Sequence, residues 1–194
     1  MNMKDNSKKM IVVVEGPSGV GKDTIMNRLI ATYPHLFGHV VSTTTREMRS
    51  YESQGNPYYF VDDAEFERLV KAGVIFEQTE RHGTKRGMTR TAFDDILKEN
   101  KIPIKDCDAN GLKALKKLYG DRVFGVFITA PVELIKQRLI SRGDKSEDVE
   151  VRLKNYEEHL KQSEFYDVLI ENLDVTETAV NVMNAIEKHY NELK

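Results

Sequence analysis

The clearest chemistry in this sequence lies in the run Gly16-Pro17-Ser18-Gly19-Val20-Gly21-Lys22-Asp23, with Thr24 next. Its G-x-x-x-x-G-K spacing suits a loop whose backbone N–H groups turn inward around an anion, because glycine permits the dihedrals such a nest needs. A lysine closing the loop then reaches the outer phosphates of a nucleotide. An apolar run over residues 10–15 precedes the loop and a helical pattern over 23–33 follows it. The loop therefore opens a helix, whose N-terminus favours negative charge. Residues 16–24 are the expected ATP site, with Lys22 placed on the transferred phosphoryl group. The usual Ser or Thr after the lysine, whose hydroxyl contacts Mg²⁺, is replaced by Asp23. A carboxylate beside a triphosphate is repelled unless a cation lies between them. Asp23 either helps to hold Mg²⁺ or caps the helix and points away.

A second group of residues is basic. Ser42-Thr43-Thr44-Thr45-Arg46-Glu47-Met48-Arg49 puts two guanidiniums on a polar turn, and Tyr58-Tyr59-Phe60 follows. Arginine forks grip phosphate bidentately and a tyrosine hydroxyl adds a donor. Arg138 and Arg142 are four apart and share a helix face, with Arg152 in the next helical stretch. By itself that pattern also fits a solvated helix. Asp106 lies at the end of a core strand, where ligands gather in open α/β sheets. It either orients Mg²⁺ through water or serves the structure. Cys107, next to it, is expected to point to the opposite face of the strand and pack in the interior.

These groups must be positioned by a chain of 194 residues, of which 40% are hydrophobic and 31% charged. The formal net charge of −2 argues against a broad nucleic-acid or membrane surface. No apolar run approaches the roughly 20 residues that span a bilayer. The single cysteine cannot form an internal disulfide and suits a reducing compartment, so a cytoplasmic protein is expected. The polar start, residues 1–9, is expected to be a flexible tail rather than a secretion signal. Short β-branched runs alternate with helical stretches, which predicts a parallel sheet covered by helices. The predicted core strands are 10–15, 102–108, 123–129 and 168–172; the helices are 23–33, 111–118, 131–141 and 176–190. Residues 40–101 mix short strands (40–44, 58–61, 74–78) with helices (63–72, 89–100). Residues 142–162 are charged and helical.

The order and spacing of V-S-T-T-T-R-E-M-R, Y-Y-F, F-E77-Q-T-E-R-H-G83 and K105-D-C-D108-A-N-G111, following the phosphate loop, resemble the guanylate kinase family. The resemblance runs from Met10 to about Tyr190. It implies an α/β fold with a P-loop NTPase-type parallel sheet flanked by helices. The core would comprise 10–39, 102–137 and 163–194, the GMP-binding insert 40–101, and the helical lid 138–162. It further implies transfer of the γ-phosphoryl of ATP to GMP or dGMP, with Mg²⁺ accompanying ATP, in a monomer or homodimer. Arg46, Arg49 and Tyr58 would hold the GMP phosphate, while Ser42, Glu77 and Asp108 would face the guanine. Carboxylates suit guanine's donor edge and disfavour adenine's unprotonated N1. Lys22, Arg46, Arg138, Arg142 and Arg152 would stabilise the transferred charge.

This chain departs from the family where Tyr-Gly-Ser/Thr is usual and Arg86-Gly87-Met88 stands instead. Arg86 can assist the phosphate in the tyrosine's place, whereas Met88 cannot donate the hydrogen bond expected near guanine's carbonyl. Three other readings accompany the main one. A kinase acting on another nucleotide or on ribose 1,5-bisphosphate would keep the phosphate loop. A guanylate-kinase-like module that binds phosphopeptides would not need Lys22 or the lid arginines. A dead homologue would have lost metal binding through Asp23.

Overall fold

The computed structural model describes residues 6–81 and 83–193. In chain order the first half comprises β1 (Ile11–Glu15), α1 (Lys22–Thr32), β2 (Phe37–His39), β3 (Thr43–Thr44), β4 (Tyr59–Phe60), α2 (Asp63–Lys71), β5 (Ile75–Arg81), β6 (Thr84–Thr89) and α3 (Arg90–Lys98). The second half comprises β7 (Ile102–Asp106), α4 (Ala109–Tyr119), β8 (Val123–Thr129), α5 (Val132–Ser141), α6 (Ser146–Lys154), α7 (Tyr156–Lys161), β9 (Val168–Glu171) and α8 (Val175–Glu192).

Five strands form a parallel sheet in the order β2-β7-β1-β8-β9. The central strand β1 explains the arrangement: Ile11 to Val14 are all fully buried, as a strand covered on both faces requires. Val12 and Val14 join a core with Ile104, Val126, Ile128 and the α1 and α8 residues Leu29, Val182 and Ile186. Ile11 and Val13 face the other way, into a cluster with Phe93 of α3, Leu112 and Leu115 of α4, and Met88 of β6. The registers Val14↔Asp106 and Glu15↔Phe127 bring Glu15 and Asp106 to the same carboxyl edge of the sheet. That edge is where open α/β sheets receive ligands.

A second, four-stranded sheet has the order β4-β3-β6-β5. β5 and β6 form an antiparallel hairpin whose register shifts between Ile75 and Glu77, placing Glu77 opposite Met88. The polar, glycine-containing β6 carries no strand signal and was not expected. Gly87 is required there, since a Cβ would stand 2.6 Å from Ile75 Cγ2. The edge strand β2 is three residues long, too short to register as a pattern.

Three boundaries also differ from expectation. β7 ends at Asp106 and α4 begins at Ala109, because Asp108 Oδ1 accepts the N–H groups of Asn110 and Gly111, each at 3.0 Å. Such a cap starts a helix two residues before the apolar periodicity begins. The charged stretch 142–162 divides at Asn155 into α6 and α7. Of the expected tail, residues 1–5 lie outside the described residues, and residues 6–9 are not free. Asn6 is fully buried, donates through Nδ2 to the carbonyls of Met10 and Lys101 at 3.0 Å, and accepts Met10 N–H at 2.8 Å. Lys8 Nζ donates to the carbonyls of Tyr190 and Leu193 at the end of α8. A buried amide needs such partners, and the sequence gives no periodic signal for them.

Candidate active site

The phosphate loop leaves β1 at Gly16 because nothing larger fits: a Cβ there would lie 2.1 Å from the carbonyl oxygen of Ile128 on β8. It enters α1 through Gly21, whose φ of +94° is left-handed. No side chain caps α1, whereas Asp62, Thr89, Asp108 and Asp174 cap α2, α3, α4 and α8. The first-turn N–H groups of α1 thus face the site without a side-chain competitor, and its dipole adds positive potential. Behind the loop, the carbonyl of Val20 accepts from Asn172 Nδ2 at 2.6 Å and from Arg138 Nη1 at 3.1 Å. Asn172 is fully buried and is held in turn by Thr178 at 3.0 Å.

In front of the loop a cavity of about 830 Å³ opens, walled by Gly16, Ser18 and Lys22 at one end. Glu15, Lys105, Asp106 and Cys107 form part of the same wall, and Ser42, Arg46, Tyr58, Glu77, Thr79, Thr84, Arg86, Gly87, Met88 and Asp108 extend it. Arg152, Asn155 and His159 reach it from α6 and α7. Arg152 donates to Ser18 Oγ, tying the helical arm to the phosphate loop.

The electrostatics differ along the cavity. Burial opposes the charge on Lys22, yet Asp23, Asp106 and Glu15 together hold its pKa above the ordinary lysine value. Burial also opposes the charge on Asp106, but Lys105 and Lys22 keep its carboxyl below the usual range. For Glu15 burial prevails over Lys22 and pushes the pKa up to about 7. Glu77 is likewise raised to about 7 by burial and by the neighbouring Asp108, against the pull of Lys105. Around Tyr58 the charge is positive. Arg46 Cζ lies 5.7 Å and Arg86 Cζ 4.9 Å from its ring centroid, a cation–π arrangement. Arg46 is braced by both oxygens of Glu52, at 2.7 and 2.9 Å, and Glu52 has a side chain only 5% exposed.

Most sequence-predicted residues therefore meet on one cavity, but several stand elsewhere. Pro17, Gly19, Val20 and Gly21 shape the loop without lining the wall, and Asp23 and Thr24 are exposed on α1. Asp23 is not the helix cap that one reading expected; it lies within the helix and pairs with Lys22 Nζ at 3.0 Å. Arg138 and Arg142 do not act as one face. Arg138 donates backward to Val20 and Asn172, while Arg142 forms the C-cap of α5 and pairs with Asp144. Arg49 is exposed and donates to Tyr51 Oη at 2.7 Å. Cys107 packs against the core as expected, but not as a residue on the opposite face of the strand. It follows the end of β7, so strand alternation no longer governs it, and it forms part of the cavity wall. Burial pushes its thiol well above the ordinary value, which leaves no reactive thiolate near neutral pH.

Sequence reasoning overlooked Glu15, Glu52, Lys105, Asn155 and His159. Glu52 could have been found three residues after Arg49, as the only carboxylate between Arg49 and Tyr58. Lys105 was visible as a charge directly after the apolar run Ile102-Pro103-Ile104.

The sequence matches the family model for guanylate kinase over residues 7–189. It is 37% identical over 181 residues to the guanylate kinase of Carboxydothermus hydrogenoformans, covering 92% of this chain and 87% of that one. It is 35% identical to the guanylate kinase of Anaplasma phagocytophilum, covering 91% and 85% of the two chains. The crystal structure of a guanylate kinase from Anaplasma phagocytophilum superposes with a TM-score of 0.71 at 28% identity, covering 93% of this chain and 86% of that one.

Proposed function

The chain belongs to the guanylate kinase family, and from that membership we propose how its own residues divide the transfer of the γ-phosphoryl group of ATP to GMP. One observation carries the reading: a single cavity has a backbone anion nest with Lys22 at one end and a tyrosine, two arginines and a half-buried carboxylate at the other. Two phosphorylated ligands can meet there end to end. Because the acceptor phosphate is already ionised, no general base is needed, and catalysis reduces to positioning and charge stabilisation.

The uncapped start of α1 and Lys22 receive the triphosphate. Arg46, Arg86 and Tyr58 receive the acceptor phosphate, with Glu52 fixing the Arg46 fork. Ser42, Glu77 and Asp108 face the base; Asp108 has one oxygen committed to capping α4 and offers the other. Lys22, Arg46 and Arg152 stabilise the charge in flight. Arg138 positions the loop through Val20. Arg49 and Arg142 would join on closure of the insert, 40–101, and the lid, 138–162, over the core segments 10–39, 102–137 and 163–194.

The donor set also fits Mg²⁺ bound chiefly by phosphate oxygens and water. Hard carboxylate oxygens of Glu15 and Asp106 stand at the sheet edge beside Lys22, while no group of three or more His, Cys, Asp or Glu among the described residues forms an all-protein site. Asp106 and Glu15 would hold such an ion through water, and it would supply charge neutralisation between the phosphates. We further read the protein as cytoplasmic, a monomer or homodimer, with ATP and GMP as its partners. Among the described residues, no helix is long and apolar enough to cross a membrane.

Release of ADP from ATP and Mg²⁺, followed against GMP, dGMP, AMP, UMP, CMP, dTMP and ribose 1,5-bisphosphate, tests the reading. Turnover is expected with GMP and dGMP. Faster turnover with another acceptor would overturn the base assignment while leaving the phosphate loop in place.

A further inference from the structure

Lys105 is the anomaly of the central sheet. It sits in the parallel strand β7, opposite Val13 of β1, with its side chain only 9% exposed. Its neighbours in register, Ile102 and Ile104, pack on the other face, so alternation directs its stem to the side of Ile11, Val13 and Met88. A lysine is rarely buried in such surroundings without a partner. Here Nζ emerges at the cavity and donates to Asp106 Oδ1 at 2.6 Å. An ammonium has three donors. Among the described residues Nζ bonds to Asp106 alone, which leaves two N–H groups available to a ligand.

What surrounds those donors decides which ligand atom they suit. Glu77 lies near enough for Lys105 to favour its ionised form. Met88, 3% exposed, forms the adjoining wall and offers only a thioether. Ionised Glu77 and Asp108 accept but do not donate, and Arg46 and Arg86 are engaged around Tyr58. A purine edge that presents ring N–H and amino donors to Glu77 also presents a carbonyl oxygen beside them, and that oxygen needs a donor. We propose that Lys105 is a base-reading residue, its Nζ held by Asp106 so that it donates to the 6-carbonyl oxygen of the acceptor purine while Glu77 accepts from the ring N–H and the 2-amino group. This rests on the acceptor-end reading above. Lys105 and Glu77 then form a complementary pair: a 6-aminopurine would meet a cation with its amino group and a carboxylate with its unprotonated ring nitrogen, and is rejected at both contacts.

The test uses wild type, Lys105→Met and Glu77→Gln with three acceptors: GMP, 6-thio-GMP, whose sulfur is a poor acceptor, and IMP, which lacks the 2-amino group. A charge-assisted hydrogen bond lost from a buried site corresponds to about ten- to a hundredfold in affinity. Wild type is expected to use 6-thio-GMP with KM raised about tenfold over GMP. Lys105→Met, which keeps the stem volume, is expected to raise KM for GMP about tenfold, to abolish the oxygen-over-sulfur preference, and to leave KM for ATP and the GMP-over-IMP preference unchanged. Equal losses for GMP and 6-thio-GMP would show that Lys105 only supports Asp106, and the proposal falls. Wild type treating oxygen and sulfur alike overturns it with no variant needed, should Lys105→Met fail to fold. Glu77→Gln is expected to erode the GMP-over-IMP preference. If it does not, the acceptor-end reading itself fails and the proposal with it; if it does while Lys105→Met shows no oxygen-specific loss, only the proposal fails.

Discussion

The two ends of the cavity are built by different means. The donor end is made of backbone: a strand, a turn that passes over Ile128 at Gly16, and a helix that starts uncapped. Its side-chain supports, Asn172 and Arg138, work from behind by holding the Val20 carbonyl. The acceptor end is made of side chains drawn from β5, β6 and β7, from Ser42 and Tyr58 at the entries to β3 and β4, from the turn after β3 and from the segment after β7. A site made of N–H groups depends on few residue identities, because every residue but proline supplies one. A site made of side chains can be re-read one residue at a time. The chain shows that contrast in its own departures. Arg86 and Met88 belong to the acceptor end, whereas the donor end departs at Asp23, which is exposed.

Removing the one side chain on which the donor end does depend gives the largest expected effect. Lys22→Ala should lower kcat by about 10³-fold or more, in the range of losses for a charge acting on phosphoryl transfer. Its partner Asp23 is 74% exposed, so the melting temperature should hardly move. GMP binding measured by calorimetry should be unchanged. A parallel loss of GMP affinity would show that the two ends are not separable.

The next expectation concerns the acceptor end alone. Glu77→Gln should raise KM for GMP about ten- to a hundredfold, with KM for ATP unchanged within about twofold. Ionised Glu77 is the form that accepts from a purine N–H. With its pKa near 7, wild-type KM for GMP should rise as pH falls from 8 to 6. Glu77→Gln should flatten that rise. Equal losses for both nucleotides would mean that Glu77 does not face the base.

The same contrast explains what was legible in the sequence. The phosphate loop could be read because its function requires a fixed spacing of glycines between an apolar strand and a helix, and all three are local signals. The core strands other than β2 were readable to within two residues for the same reason; β1 is apolar up to Glu15 and β8 up to Thr129. β6 was not readable, since a six-residue strand with a central Gly-Met preceded by Lys-Arg has no apolar alternation, and its β-branched residues stand only at its two ends. Arg138 illustrates the other kind of failure. Spacing puts it on a helix face with Arg142, but the carbonyls it meets come from Val20 and Asn172, 118 and 34 residues away, and no periodicity reports such contacts. Glu52 was missed because its work is indirect, performed on Arg46.

Glu52 supplies a smaller effect that sharpens the comparison. Glu52→Gln keeps the shape of the side chain but gives up one of two charge-assisted bonds to Arg46. KM for GMP should rise about three- to tenfold, with ATP kinetics unaffected. An effect as large as that of Glu77→Gln would indicate that Arg46 carries more of the acceptor binding than the base does.

The smallest expected effect touches both ends together and appears in stability without ligand. Glu15 and Glu77 have folded-state pKa values of about 7 against an ordinary 4.5. Between those values the native state binds more protons than the unfolded chain, so stability is lost as pH rises through the window and the loss is complete above about 7. His39 acts with the opposite sign: burial lowers its pKa from 6.5, so its contribution is gained as pH rises toward that value and is complete above it. Asp106, held low, and Lys22, held high, contribute steadily across the same window. With two carboxyls against one imidazole, the melting temperature of the ligand-free protein should fall by a few degrees between pH 5 and pH 8. Glu77→Gln should remove part of that fall. Saturating GMP should restore part of it in wild type by giving ionised Glu77 its donors, and should restore nothing in Glu77→Gln. A rising melting temperature over that interval would mean that neither carboxyl is held protonated in the folded state, and the electrostatic account of both ends would have to be redrawn.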